Sequence, residues 1–153
     1  TVCDLSNDTA LKLAELPNIV GIKDATGNME RAADLMLRAP QGFAFYSGDD
    51  ATTLPFILLG GHGTISVTAN VAPRDMHDMC QAALKGDIAT AKSINNRLQG
   101  LHKQLFVEAN PIPVKWALEE MGFIPAGIRL PLTRLAESGQ AALRPAMVQA
   151  SIL

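Results

Sequence analysis

Three short apolar segments, separated by helix-like stretches, constrain the fold of this 153-residue chain more than any other feature. Residues 18–22, 43–46 and 64–67 are rich in β-branched or aromatic side chains, and their starts lie about 21 to 25 residues apart, the length of one β/α unit. The stretches that follow or precede them are typical of helices. A helix between consecutive strands predicts parallel pairing with right-handed crossovers. Because each segment is apolar throughout, we expect a sheet covered on both faces.

The predicted helices of this first region cover residues 8–16, 29–38 and 50–59. Beyond residue 70 the pattern predicts helices only. One covers residues 74–84 and ends at Gly86, and Asp87 is placed to cap a longer helix whose apolar positions begin at Ile88.

Prolines and glycines mark the last two predicted helices. Pro113 suits the first turn of a helix that stops at Gly122. A final helix is predicted over residues 141–150, where Pro145 should either kink the helix or mark its true first turn.

The number of strands is too small for an independent sheet. Three parallel strands leave unpaired edges, whereas a (β/α)8 barrel needs eight units and about 250 residues. We therefore expect an α/β chain that forms the last three β/α units of a (β/α)8 TIM barrel, followed by a C-terminal helical region. Residues 1–70 would close the barrel, and residues 71–153 would form its last helix and a helical domain. An open doubly wound sheet is the alternative, and it would also need further strands.

Charge and cysteine content exclude several classes of function. Lys and Arg number 13 against 15 Asp and Glu, for a net charge of −2, so no basic field favours nucleic acid or an anionic membrane. Apolar runs are too short to span a bilayer. Cys3 and Cys80 have no metal-binding spacing, so we expect both to be buried thiols and expect no metal site. No signal-peptide pattern follows Thr1, so we expect a cytoplasmic protein.

Lys23 stands at the carboxyl end of the first predicted strand, where parallel β/α folds carry their working groups. A lysine there points toward the barrel interior or mouth, and desolvation would favour the neutral amine that a Schiff-base nucleophile requires. The alternative is a structural lysine that extends into solvent or pairs with Asp24.

The second strand is followed by Gly48, Asp49 and Asp50. Gly48 permits a close backbone approach or a positive φ, and Asp50 is placed to cap the next helix. Two adjacent acids could hold a divalent cation, but no third ligand occurs at suitable spacing. Capping is therefore the favoured role.

The glycine-rich stretch at 60–63 precedes a strand, whereas phosphate-binding loops follow one. It predicts a tight helix-to-strand turn with His62 as a turn residue. Residues 65–70 then place small polar groups at the same sheet edge as the lysine, suited to a small polar ligand. His77 and His102 lie on predicted helices and are expected at the surface.

Four segments together resemble the pyruvate-dependent class I aldolase superfamily, and within it the dihydrodipicolinate synthase family. They are GIKDATG at 21–27, SGDD at 47–50, GGHGTISVTAN at 60–70 and LFVEANPIPVK at 105–115. The likeness covers essentially the whole chain in the right order and spacing. The first segment alone would suit several sibling aldolases, and the third and fourth point to the synthases.

The resemblance implies that Lys23 forms a Schiff base with pyruvate, while Ile65 and Gly48 line the substrate pocket. The resulting enamine would attack L-aspartate semialdehyde, in the synthesis of diaminopimelate and L-lysine. Neither metal nor organic cofactor would be needed, because the protonated imine serves as the electron sink. Members of the family are commonly homotetramers, built as dimers of dimers.

Parts of the family pattern are missing. The proton relay of two tyrosines and a threonine belongs to the first half of the barrel, and Tyr46 matches neither tyrosine position. The carboxylate-binding arginine would lie immediately before Thr1, and the allosteric lysine site would also be built from the other half. We expect residues 1–153 alone to be inactive. A sibling aldolase, such as an N-acetylneuraminate lyase or a keto-sugar-acid aldolase, and a non-catalytic half-barrel or binding module remain the alternatives.

Overall fold

The computed structural model describes residues 3–153, which fall into two compact units. Unit 1 extends to Ile65, and unit 2 runs from Ser66 to Leu153.

Unit 1 alternates helices with three strands. In chain order its elements are α1 (Asn7–Ala14), β1 (Gly21–Asp24), α2 (Met29–Arg38), β2 (Ala44–Ser47), α3 (Thr53–Leu58) and β3 (Gly63–Thr64), with a 3₁₀ turn (Asp50–Thr52) leading into α3. The strands form one sheet in the order β1-β2-β3, and both pairings are parallel. The predicted β/α alternation and parallel pairing are therefore confirmed.

The predicted helix at 29–38 coincides with α2, because both its ends carry local signals. The Asn28 side chain accepts the backbone N–H of Arg31 at 3.0 Å, and Arg38 lies in the last turn. The predicted strands are less accurate. β1 extends to Asp24, since backbone pairing continues past the last apolar residue, and β3 pairs over only two residues before the chain leaves the sheet.

One face of the sheet packs against the helices of unit 1. The buried cluster on this face consists of Ala10, Ala32, Leu35, Phe43, Phe45 and Phe56. The other face is open in the described chain, where Tyr46 is 39% exposed and Ile65 is 53% exposed. The expectation of two covered faces is therefore wrong for these residues, because unit 1 supplies helices to one face only.

Hydroxyl groups tie β2 and β3 to the start of α3 on the covered face. The Thr53 hydroxyl oxygen is buried, 3.0 Å from the Asp49 carbonyl oxygen and 3.2 Å from the hydroxyl oxygens of Ser47 and Thr64. The Thr64 hydroxyl donates to the Ser47 carbonyl at 3.0 Å. These bonds fix the carboxyl ends of two strands without using their open face.

Unit 2 is helical throughout its regular structure. Its elements are a 3₁₀ turn (Thr68–Asn70), α4 (Pro73–Leu84), α5 (Ile88–Gln104), α6 (Ile112–Glu120) and α7 (Glu137–Gln149). Asp87 caps α5 as predicted, since its carboxylate accepts the Thr90 N–H at 3.1 Å. α7 begins four residues before the predicted start, so Pro145 lies inside the helix and does not mark its first turn.

The core of unit 2 is a large apolar cluster. Its fully buried members include Met79, Leu98, Leu101, Leu105, Ala117, Leu143 and Met147. Of the apolar positions predicted for α5, Ile88 is exposed at the first position of the helix, whereas Ala91, Leu98 and Leu101 are fully buried.

His102 corrects a second expectation, because it is buried at 3% exposure and His77 alone of the two helical histidines is exposed. The Nδ1 atom of His102 lies 2.9 Å from the Thr68 hydroxyl. This partner is distant in sequence, so the helical pattern gave no sign of it.

The cysteines also differ from expectation. Cys3 is exposed and Cys80 is half-buried, and both are free thiols. Cys3 lies just before the first helix, where nothing requires it to be buried. Among residues 3–153, no helix combines the length and apolar character needed to cross a bilayer.

Candidate functional site

The open face of the sheet carries Lys23. Ile22 packs toward the buried cluster, so the alternation of a strand directs Lys23 to the opposite face. Lys23 pairs in register with Tyr46, which lies on the same face, and both side chains are exposed. Sequence reasoning assigned no role to Tyr46. Counting alternate positions back from Gly48 is the signal that would have placed it beside the lysine.

Gly48 leaves room for the lysine side chain. A Cβ at this position would lie 2.5 Å from Cε of Lys23 and 2.8 Å from Cβ of Ala25, closer than real Cβ atoms approach other atoms. The backbone N–H of Gly48 donates to the Asp24 carbonyl at 2.7 Å, which holds the glycine at this short distance. The predicted close approach at Gly48 is confirmed, and the lysine is the group that it accommodates.

The Asp24 carboxylate does not pair with the lysine. It accepts the backbone N–H of Thr26 at 2.8 Å and so closes the turn that follows β1. Within the described part of the chain, no hydrogen bond or ion pair involves the Lys23 ammonium. The amine is therefore free for a ligand, and the desolvation expected from the sequence does not come from these residues.

Ile65 follows β3 at the same edge of the sheet. Its backbone N–H donates to the Ser47 carbonyl at 2.8 Å, one residue before Gly48. The three residues singled out from the sequence thus lie at the carboxyl ends of three adjacent strands, and Lys23 and Gly48 are in direct contact.

The two acids after β2 are part of the fold. Asp49, and not Asp50, is the capping residue, because its extended backbone lets the carboxylate accept the Thr52 N–H at 3.1 Å and the Thr52 hydroxyl at 2.6 Å. Asp50 is buried inside the 3₁₀ turn. Across residues 3–153, no group of three or more His, Cys, Asp or Glu side chains could hold a metal ion.

The small polar groups after Ile65 belong to unit 2 and serve its local structure. The Ser66 hydroxyl accepts the Ala69 N–H at 2.9 Å, and the Asn70 amide donates to the Val67 carbonyl at 3.0 Å. Thr68 is buried beside His102. Their hydrogen bonds are explained without a ligand.

The structure therefore places an exposed lysine at the carboxyl end of parallel strands, next to a glycine that leaves room for its side chain, which is where (β/α)8 barrels carry their functional groups. The family model described as the dihydrodipicolinate synthetase family matches residues 1–150, and the chain belongs to this family.

Known relatives support both the family and the fold. The 4-hydroxy-tetrahydrodipicolinate synthase of Azoarcus sp. strain BH72 is 68% identical over 99% of this chain and 52% of its own length. The crystal structure of a chloride-inhibited dihydrodipicolinate synthase from Acinetobacter baumannii complexed with pyruvate is 55% identical, with a TM-score of 0.94 over 98% of this chain and 52% of that one. The Aquifex aeolicus dihydrodipicolinate synthase is 41% identical, with a TM-score of 0.92 over 97% and 51%.

The chain spans about half the length of the relatives it matches. It has the fold of part of a TIM barrel followed by C-terminal helices, so the predicted fold class is confirmed.

Proposed function

We propose that this chain supplies the Schiff-base half of a 4-hydroxy-tetrahydrodipicolinate synthase, which condenses pyruvate with L-aspartate semialdehyde in diaminopimelate and L-lysine synthesis. The observation that carries the proposal is the contact between Lys23 and Gly48, where any side chain would displace the amine. A relative solved with pyruvate supports pyruvate as the first substrate.

In the proposed reaction, the neutral amine of Lys23 attacks the keto carbon of pyruvate and water leaves, which gives a protonated imine. Loss of a proton from the methyl carbon sends its electron pair into the imine and forms an enamine. The enamine carbon then bonds to the aldehyde carbon of the semialdehyde, whose oxygen takes up a proton. The amino group of the semialdehyde then attacks the imine carbon and displaces the Lys23 amine, which closes the ring and releases the product.

The other two site residues have simpler proposed roles. Gly48 keeps the space beside Lys23 free for the three-carbon substrate. Ile65 presents its backbone and half-exposed side chain to the bound pyruvate. The proton relay and the carboxylate-binding arginine would come from barrel segments outside these residues, and no metal or organic cofactor takes part.

The same proposal covers the domain organisation, the location and the assembly of the enzyme. Residues 1–70 would close the barrel around the lysine, and residues 71–153 would form the last barrel helix and the helical domain. The enzyme would act in the cytoplasm as a homotetramer.

The test is borohydride trapping of the full-length protein with pyruvate, followed by peptide mass spectrometry. We expect the reduced pyruvyl group on Lys23 and its loss in Lys23→Arg, which keeps the charge but lacks a nucleophilic amine. Lys12→Arg, an exposed change on α1, is the matched control and should keep the adduct. An adduct on another lysine, or one that survives Lys23→Arg, would rule out the mechanism.

Product analysis separates the synthase from its siblings. Turnover with L-aspartate semialdehyde and none with sugar aldehydes is expected. The reverse result would identify an N-acetylneuraminate lyase or a keto-sugar-acid aldolase, which form the same adduct.

A non-catalytic module is the contrasting class. We expect residues 1–153 by themselves to show no turnover, because the remaining strands of the barrel are needed to enclose the lysine. Turnover by these residues alone would contradict this expectation, and absence of any pyruvate adduct in the full-length protein would favour the module.

A further inference from the structure

We infer that His62 is a positioning residue whose neutral imidazole, with its proton on Nε2, completes the β2–β3 hydrogen-bond ladder and so holds the strand that leads into Gly48. The inference concerns the ladder itself, and its effect on pyruvate chemistry rests on the proposed function.

The hydrogen bonds of β2 alternate between its two neighbours. Ala44 and Gly48 donate their N–H groups toward β1, to the carbonyls of Val20 at 2.9 Å and Asp24 at 2.7 Å. Phe45 and Ser47 therefore face β3. Their carbonyls accept the N–H groups of His62 and Ile65, each at 2.8 Å.

This alternation leaves the N–H of Phe45 pointing toward β3 at a place where β3 has not yet begun. The chain there is the turn at Gly60 and Gly61, whose N–H groups bond back to the end of α3, to Ile57 and Phe56. Gly60 has a φ of 124°, which directs the backbone away from the strand path. Within residues 3–153, no backbone carbonyl of this turn accepts the Phe45 N–H.

The His62 side chain accepts instead. Its Nδ1 lies 3.1 Å from the Phe45 nitrogen, so two hydrogen bonds join the same two residues. Phe45 is only 7% exposed, and its N–H would be costly to leave without an acceptor. Since Nδ1 accepts, the neutral ring carries its proton on Nε2.

The consequence for the site follows along β2. Phe45 lies three residues before Gly48, whose backbone stands against the Lys23 side chain, and the His62 ring also packs near Tyr46, with ring centroids 6.3 Å apart. A loosened β2–β3 pairing would move Gly48 and Ile65 relative to the lysine. His62 therefore acts through Phe45 and not on the substrate.

A crossed pair of variants in the full-length protein tests this inference. His62→Asn keeps an acceptor near the Nδ1 position, whereas His62→Phe keeps the ring and removes the acceptor. We expect His62→Phe to speed amide hydrogen exchange of Phe45 by about tenfold or more and to slow pyruvate adduct formation to a similar degree. His62→Asn should restore both, and His77→Phe, on an exposed helix face, should change neither.

Nitrogen NMR of the unsubstituted protein gives a second readout if His62→Phe fails to fold. The expected signature is a protonated Nε2 and a bare, hydrogen-bonded Nδ1. A proton on Nδ1, unchanged Phe45 exchange in His62→Phe, or His62→Asn behaving like His62→Phe would overturn the inference. The Phe45 exchange rates and the His62 tautomer could agree with the inference while the unsubstituted protein forms no pyruvate adduct. In that case the proposed function fails and the role of His62 in the ladder stands.

Discussion

Units 1 and 2 use buried and exposed surface in opposite ways. Unit 2 encloses a large apolar cluster with several fully buried side chains. Unit 1 has a smaller cluster, buries hydroxyl groups beside it, and leaves one face of its sheet open. Every residue assigned to the Schiff-base site lies on or beside that open face. The comparison indicates that unit 2 contributes mainly to stability. Unit 1 buries less apolar surface, and its open face leaves Lys23 accessible.

The largest expected effect is in the core of unit 2. Leu143→Ala removes a fully buried side chain from α7 and should lower the free energy of unfolding by about 2–5 kcal/mol. Val148→Ala, at a position that is 59% exposed on the same helix, is the matched control and should cost little. Denaturant unfolding of the full-length protein measures both. Equal effects would contradict the assignment of stability to this core.

The second prediction compares one glycine from each unit. Gly48→Ala places a Cβ against Lys23 and should slow pyruvate adduct formation by about tenfold or more, since overpacking costs about 1–3 kcal/mol. Gly100→Ala, on α5, brings a Cβ to 3.0 Å from that of Ala146, partly offset by the better helix propensity of alanine. It should alter thermal stability and leave adduct formation unchanged.

Borohydride trapping and thermal unfolding of both glycine variants distinguish the two units. If Gly100→Ala impaired trapping as strongly as Gly48→Ala, the assignment of chemistry to unit 1 alone would be wrong.

A smaller effect is expected at the start of α7. Its N-cap residue, Ala136, has no capping side chain, and the Glu108 carboxylate accepts the Ala136 N–H at 3.0 Å. Glu108→Ala should lower the free energy of unfolding by about 0.5–2 kcal/mol, which is the usual effect of losing a helix cap. Glu108→Gln should recover part of this, because it keeps a carbonyl acceptor but loses the charge that favours a helix N-terminus.

Chemical denaturation of these variants checks the prediction, with Glu137→Gln as the control for a neighbouring charge. Identical stability of Glu108→Ala and the unsubstituted protein would show that the bond contributes nothing.

The same difference between the units explains what could be predicted from the sequence. Local signals predict the ends of α2, where a cap and a basic last turn lie at the two ends, and the cap of α5 at Asp87. Lys23 and Gly48 could be singled out because β/α folds place working groups at strand ends, and the structure brings them into contact.

Three of the failures depend on contacts between residues distant in sequence. His102 lies beside the buried Leu101, but histidine is common both at surfaces and in interiors, and its partner Thr68 is 34 residues away. The open face of the sheet does not follow from the strand sequences. An apolar strand has the same pattern whether the residues that cover its second face belong to this chain or not. The acceptor role of His62 depends on the direction of one backbone N–H, which hydropathy does not encode.

The smallest expected effects are two acid-dependent contacts, one in each unit. Hydrogen bonding from Asn7, and then from Arg38, lowers the pKa of Asp34 from its ordinary value of 3.8. The hydroxyl and the backbone N–H of Thr90 lower the pKa of Asp87 in the same way.

Because both folded-state pKa values are depressed, each contact stabilises the protein above about pH 3.8 and is lost as the pH falls through the folded-state pKa. Asn7→Ala should raise the pKa of Asp34 toward 3.8, and Thr90→Val, which keeps the backbone N–H, should raise that of Asp87 only in part. Carboxyl NMR titration of each variant measures the shift, with the other aspartate as internal control. Movement of both aspartates in one variant would mean that the two units do not titrate independently.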